Sequence, residues 1–415
     1  MAETKRTNHR GDALFYVGID THTDTHTIAV INAAQHTELT GTYPTTPKGL
    51  SAIVKELGQF GDPEGLVIGI EGTNSYGASL NRRLQADGYT TFEVLRPPRQ
   101  VRHMDGKSDP IDALEAARTV MSGKGVSIPK LGQGPAEALR YLHIVRGKYV
   151  STMTGLLNMI ISLLITAPTP LRQKYTKTST SKTLKTLLAS RPGSADPSSV
   201  DFHVMTALKS MAQTHATIKE SADRLERQMQ VILQEHYPAL LRVFGVGTIT
   251  AASLAITAGD NPRRIRNEAA FAKLCGACPI PASSGKTNRH RVNHGGDRQG
   301  DQALHQIALV RMSCHQPTRD YVEKQMKRGR TKKEILRQLK RALCREIYRV
   351  LTRPQIIEDE INLRELRVSK GISQTQAAQA LDTYPARISE IETGRRPQPA
   401  LKDRYKQWLQ TIDTP

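Results

Sequence analysis

The sequence predicts an α/β domain built on a mixed sheet covered by helices. Long paired helices, an α-helical domain and a small all-α helix-turn-helix module follow it. Three observations predict this. Between Phe15 and about Ser122, short runs rich in β-branched and aromatic residues alternate with helical patterns. Two much longer helical patterns come next, and the stretch from Leu363 to Leu409 carries its own small set of apolar positions. Length agrees, because 415 residues exceed one ordinary core at roughly 150 residues per domain.

The strand candidates are Phe15 to Ile19, Thr27 to Ile31, Glu38 to Tyr43, Val67 to Ile70 and Thr91 to Leu95. Helices fit at Pro47 to Gln59, Ser75 to Ala86 and Ile111 to Met121, where Leu80, Leu84, Ala113, Leu114 and Ala117 recur at helical spacing. Three successive strands and then alternating helix and strand describe a mixed sheet. The long helices are Ala136 to Ile165 and Val204 to Glu235. The Lys/Thr/Ser-rich stretch between them, Lys174 to Ser199, reads as a mobile or nucleic-acid-contacting connection. The apolar run Leu156 to Ala167 is broken by Asn158 and Ser162 and falls short of the roughly 20 residues of a membrane span. It reads as a buried helix.

Further on, Phe244-Gly245-Val246-Gly247 opens a helix over Thr248 to Ile256, as either a phosphate-contacting helix-hairpin-helix or a tight turn between helices. Pro279 to Asp301 is polar and glycine-rich and holds Ser283, Ser284, Lys286, Arg289, Arg291 and Arg298; a helix from Gln302 to Ser313 follows. Lys324 to Arg353 carries twelve basic residues against two acidic ones around Ile335, Leu339, Leu343 and Ile347. So lopsided a helix is expected to face phosphate. In the last module three short helices are expected, with Ser373 to Gln376 as a capping box and a second helix beginning near Tyr384 that would lie in a major groove.

Fifty-nine lysines and arginines against 39 acidic residues leave a formal charge of +20. A polyanionic partner, nucleic acid rather than membrane, is the expectation. Four cysteines lack the density of a disulfide framework, which fits a reducing cytoplasm. The opening Met1 to Gly11 is polar and has no signal pattern. Cys275-Gly276-Ala277-Cys278 has metal-like spacing but no second pair, so small packed residues are the better reading.

Four carboxylates stand out: Asp20 and Glu71, each directly after an apolar strand, and Asp109 and Asp112 three residues apart on a helix start. Taken singly, each has an ordinary explanation: a strand end, a solvated edge, or a helix cap before Pro110. Together they form an oxygen-rich set suited to Mg2+ or Mn2+ and to phosphodiester chemistry.

Val17-Gly18-Ile19-Asp20-Thr21-His22, Ile70-Glu71-Gly72-Thr73 and Lys107-Ser108-Asp109-Pro110-Ile111-Asp112-Ala113 resemble the DEDD motifs of the RuvC-like, RNase H-like domain of IS110-family transposases. Phe271 to Gly276, continuing through Pro279 to Lys286, resembles that family's C-terminal transposase domain. The resemblance covers roughly residues 14 to 353 and implies a recombinase that excises and inserts an insertion sequence. Asp20, Glu71, Asp109 and Asp112 would hold metal, and a serine would attack DNA to leave a phosphoserine link. The family's serine precedes a glycine, which selects Ser284 over Ser283, while Lys286, Arg289, Arg291 and Arg298 would contact the nucleic acid. The family also implies a noncoding guide RNA, double-stranded donor and target DNA, a homo-oligomer and a bacterial cytoplasm. The terminal module resembles Cro/C1-type helix-turn-helix domains, with Gln374 near phosphate and Tyr384, Arg387 and Ser389 near base edges.

The expected divisions are a disordered 1–13, a catalytic domain 14–125, a coiled-coil region 126–238, a serine-bearing domain 239–355 and the helix-turn-helix 356–415. Two rivals stay open on sequence alone: a nuclease or junction resolvase using only the DEDD metals, and a regulator with a dead catalytic domain.

Overall fold

The computed structural model describes residues 15–94, 108–175, 178–192, 196–283, 290–291, 293, 295–353, 363–392 and 398–412. The expected disorder of 1–13 lies outside them. The chain divides into two compact units, residues 1–353 and 354–415.

The first unit begins with β1 (Phe15–Thr21), β2 (Thr25–Asn32) and β3 (Thr37–Pro44), then α1 (Pro47–Leu57), β4 (Leu66–Glu71), α2 (Ala78–Ala86) and β5 (Thr90–Val94). Next come α3 (Asp109–Ser122) and the two-residue β6 (Val126–Ser127). The sheet order is β3-β2-β1-β4-β5-β6. β1 to β3 form an antiparallel meander, β1, β4 and β5 run parallel, and β6 returns antiparallel to β5. This is the mixed sheet expected, in an RNase H-like order, extended by β6, which is too short to leave a sequence pattern.

Pleating sorts the two faces. Val17, Ile19, Ile28, Val30, Ile68 and Ile70 face α1 and α2 through Ile53, Leu57, Leu80 and Leu84. Tyr16, Ile31 and Val67 face α3 through Ala117 and Val120. The central strands β1, β2 and β4 are buried on both faces, which explains their nearly continuous apolar runs, whereas the edge strand β3 is largely exposed.

The helical part comprises α4 (Pro135–Thr166), α5 (Thr169–Tyr175), α6 (Thr180–Ala189), α7 (Val200–His236), α8 (Pro238–Leu241), α9 (Thr248–Ala258) and α10 (Glu268–Leu274). A short hairpin, β7 (Ile280–Pro281) with β8 (His290–Arg291), precedes α11 (Arg298–Cys314), α12 (Gln316–Lys327) and α13 (Lys332–Thr352). α4 packs along α7, and Arg146 reaches Glu226 between them at 2.8 Å. Every residue of α9 from Thr250 to Ala258 is buried, so the glycine turn at Gly245 (φ 83°) delivers the central helix of a second core. Asp260 caps the start of α4 through the Gly134 and Ala136 amides, at 3.1 and 2.7 Å.

Three expectations are corrected here. The run Leu156 to Ala167 belongs to a 32-residue helix that is mostly exposed, with Ile160 and Leu164 buried and Met159, Ile161 and Ile165 facing outward. By length and composition that helix is long and apolar enough to cross a membrane, as some soluble core helices also are. The 174–199 stretch is not mere connection: α6 lays Leu187 and Thr183 into a core with Tyr175, Leu208 and Ala212. Its polar composition hides two leucines, Leu184 and Leu187, at helical spacing. The basic stretch 324–353 is two helices separated at Gly329 (φ 80°), and α13 begins with a Thr331–Glu334 capping box.

The second unit has α14 (Leu363–Ser369), α15 (Gln374–Ala380), α16 (Pro385–Glu392) and α17 (Pro399–Thr411). Ser373 and Gln376 form the expected capping box. Three helices were expected; α17 is a fourth, and its Tyr405 and Leu409 are fully buried with Leu363, Ala377 and Ile388. The spacing of Leu401, Tyr405 and Trp408 carries that signal.

Candidate active site

Two glycines decide where α3 lies. A Cβ on Gly18 would stand 1.9 Å from the Ala113 carbonyl oxygen, and one on Gly69 would stand 2.7 Å from Val94 Cγ2 and 3.1 Å from the Ala116 oxygen. The helix therefore rests almost directly on the β1 and β4 backbones. Two residues further along each strand, on the same face by the pleat, stand Asp20 and Glu71. They occupy adjacent positions one step beyond the Ile19–Ile70 pair of the parallel ladder. The Thr21 hydroxyl donates to the Glu71 carbonyl at 2.7 Å and ties the two strand ends together.

The start of α3 brings its carboxylates to the same end of the sheet. Ser108 holds the N-cap position, so Asp109 is the first helical residue, with Pro110 behind it and Asp112 in the first turn. Asp20 is 2% exposed. Its Oδ2 lies 3.0 Å from His22 Nε2, which lies 3.5 Å from Asp109 Oδ1. One ligand atom from each of Asp20, His22 and Asp109 falls within 4.8 Å of the others. Burial pushes the Asp20 carboxyl up, His22 opposes this, and the charges of Asp112 and Asp109 add to the rise. A buried carboxylate among further carboxylates is a site short of positive charge, and the donor set fits a divalent cation.

Sequence reasoning missed His22. The signal was its place two residues after Asp20, which puts it on the same face as β1 enters its tight turn, where the His22 amide donates to the Thr25 carbonyl at 2.9 Å.

The basic residues belong to other surfaces. Ser284, Lys286 and Arg289 lie outside the described residues. Ser283 is exposed after β7. Arg298 opens α11, whose N-cap Asp297 accepts from the Gln299 and Gly300 amides at 2.9 and 3.0 Å. Arg291, on β8, lines a cleft of about 660 Å³ with Gly276 to Pro279, Arg330, Arg337, Lys340, Arg341 and Arg345. Not all of these cations face outward. Arg341 and Arg345 both reach Glu268 at 3.1 Å, Lys340 pairs with Asp301, and Arg311 holds Glu346 at 2.9 Å. The expectation of a wholly phosphate-facing helix is corrected accordingly: part of the basic excess on α13 anchors it to α10 and α11. Cys275 packs against Cys344 rather than Cys278, and that contact and burial push its thiol up.

In the second unit, Tyr384 (75% exposed) precedes α16, Arg387 is exposed on it, and Ser389 is half-buried. Gln374 opens α15, and its Nε2 donates to Glu392 at 2.9 Å. Burial pushes the Glu392 carboxyl up, but hydrogen bonds from Arg367, Gln374 and Tyr405 outweigh it and hold the carboxyl below its ordinary value.

Comparison with known proteins adds independent findings. The Transposase IS116/IS110/IS902 family model matches residues 237–323. A transposase model named for the DEDD domain of IS110 matches residues 17–167, and a helix-turn-helix domain model matches 361–404. A Streptomyces coelicolor protein named insertion element IS110 uncharacterized 43.6 kDa protein is 30% identical over 34% of this chain and 36% of its own length. A Pseudomonas aeruginosa protein named probable family 20 transposase is 26% identical over 50% of this chain and 60% of its own length. The chain thus spans less than two thirds of either relative.

Proposed function

We propose that the chain is a transposase of the IS116/IS110/IS902 kind, whose family models match two separate segments of it, and that it cuts and rejoins DNA as the recombinase of an insertion sequence. The observation that carries the reading is the meeting of Asp20 and Asp109, from separate elements, around one point at the sheet end. Nothing in the strand ladder requires two acids to converge there.

Asp20, Glu71, Asp109 and Asp112 would hold the metal, Mg2+ or Mn2+. When bound, a divalent ion supplies Lewis-acid activation of a phosphodiester. Convergence of the four carboxylates would set the ion, and with it the scissile phosphate, at the sheet end, and burial of Asp20 beneath α3 keeps bulk water from that side. Ser284 attacks: its Oγ forms a bond to phosphorus as the bond to a deoxyribose oxygen breaks. The serine proton is released and the leaving oxygen takes one up. Attack by the hydroxyl of another strand reverses the step, restores the serine and conserves the phosphodiester energy.

The cleft that Arg330 and Arg337 line with Arg291 tracks the phosphate backbone, as the charge of +20 favours, and Lys286, Arg289 and Arg298 add further contacts to the nucleic acid. A noncoding guide RNA supplies sequence choice by pairing with donor and target duplexes, as in guided nucleases. Tyr384, Arg387 and Ser389 meet base edges through the terminal module, and Gln374 orients it by way of Glu392. Two duplexes require more than one protomer, and the outward apolar residues of α4 (Ile144, Met159, Ile161, Ile165) offer a self-association face.

The test is strand exchange on a DNA carrying the element's ends, with divalent ion and RNA from the flanking locus. Asp20→Asn and Asp109→Asn should abolish cleavage while duplex binding persists. Cleavage that survives either change overturns the reading.

A further inference from the structure

We propose that His22 is itself a metal ligand, and that its nitrogen makes this site select Mn2+ over Mg2+. The inference rests on the divalent-metal reading of the carboxylates above. Three observations support it. His22 Nε2 stands between the two carboxylates, 3.0 Å from Asp20 and 3.5 Å from Asp109, so one nitrogen and two oxygens already face a common point. The ring is 45% exposed, which leaves it free to meet an ion arriving from solvent. The tight turn between β1 and β2 fixes its backbone, so the donor is positioned rather than recruited.

The chemistry then separates the metals. Mg2+ is small, demands oxygen and gives up water reluctantly, so an imidazole in its shell is a poor exchange. Mn2+ stands above it in affinity for nitrogen donors and tolerates a mixed set. A site of carboxylates alone leaves Mg2+ and Mn2+ close competitors, whereas one with an imidazole biases the choice. His26 supplies an internal control: it is fully buried on β2, opposite Thr21 in the ladder, and therefore on the other face of the sheet from Asp20.

The experiment loads the full-length protein with Mn2+ and examines it by pulsed electron paramagnetic resonance for modulation from a directly bound nitrogen. Mg2+ competition is measured in parallel. Wild type should show the nitrogen signal, and 15N labelling of histidine should shift it. His22→Ala should lose it and lower the Mn2+ over Mg2+ preference about tenfold or more, while far-UV circular dichroism stays unchanged. Mn2+ bound without a nitrogen signal, yet lost in Asp20→Asn, would refute the role of His22 and leave the carboxylate site standing. No Mn2+ binding that depends on Asp20 would bring down both.

Discussion

Adding a single methyl at Gly18 should damage the site without touching any carboxylate. Its Cβ would fall 1.9 Å from the Ala113 oxygen and 2.2 Å from the Ala117 nitrogen, both backbone atoms of α3 that no rotamer change can move aside. Relief to an ordinary contact needs the helix to retreat by roughly 1–1.5 Å. Overpacking of this kind costs about 1–3 kcal/mol or more. The same retreat carries Asp109 and Asp112 away from Asp20, and a displacement of about 1 Å is worth about a hundredfold in rate. The corresponding change at Gly69 meets side-chain atoms first, Val94 Cγ2 at 2.7 Å and Val120 Cβ at 3.0 Å, and should be milder.

Thermal unfolding followed by far-UV circular dichroism should show Gly18→Ala melting several degrees lower, at about 2–4 °C per kcal/mol for a domain of 150–250 residues, and Gly69→Ala falling between it and wild type. The sole tryptophan, Trp408, is partly buried against the other unit's core, so its fluorescence transition should not move and serves as a control. A Gly18→Ala protein with unchanged melting and unchanged Mn2+ affinity would refute the claim that glycine-enabled docking builds the site.

Three further predictions concern the rest of the molecule. Glu392→Ala strips the acceptor from Arg367, Gln374 and Tyr405 in a buried cluster, so Trp408 fluorescence should report a loss of about 3–5 kcal/mol, recovered in large part by Arg367→Met with Glu392→Leu. The native carboxyl of Glu392 lies below its ordinary value of 4.5, so its contribution is complete above that value and fades as pH falls through the native one. Acid titration of the tryptophan signal should show this in wild type and not in Glu392→Gln. Arg337 has no ion-pair partner among the described residues and lines the basic cleft; Arg337→Ala should weaken binding to duplexes of any sequence and lower the salt slope by about 1, as fluorescence anisotropy across salt concentrations would measure.

Much of this was legible in the sequence, for physical reasons. The strands show because both faces of the sheet are buried, so Phe15 to Ile19 and Val67 to Ile70 read as unbroken apolar runs. Asp20 and Glu71 show because a carboxylate directly after such a run is conspicuous, and Asp109 with Asp112 because helical spacing puts both in one turn. Other elements hide. β6 is held by pairing with Glu93 and Val94 rather than by any pattern of its own. α6 is masked by lysines and threonines around Leu184 and Leu187. The direction of α13's arginines depends on Glu268, more than sixty residues upstream by sequence number and visible only in three dimensions. His22 was passed over because a histidine in a turn is ordinary until the fold places Asp109 opposite it.

The most direct test of the account is to identify the residue that holds the DNA. The protein, trapped on a cleaved substrate, should be digested and its nucleotide-bearing peptide sequenced by mass spectrometry. A phosphodiester adduct on Ser284 is expected, absent from Ser284→Ala and from Asp20→Asn. Efficient DNA cleavage with no protein-linked product, or an adduct on Ser283 that persists in Ser284→Ala, would contradict it.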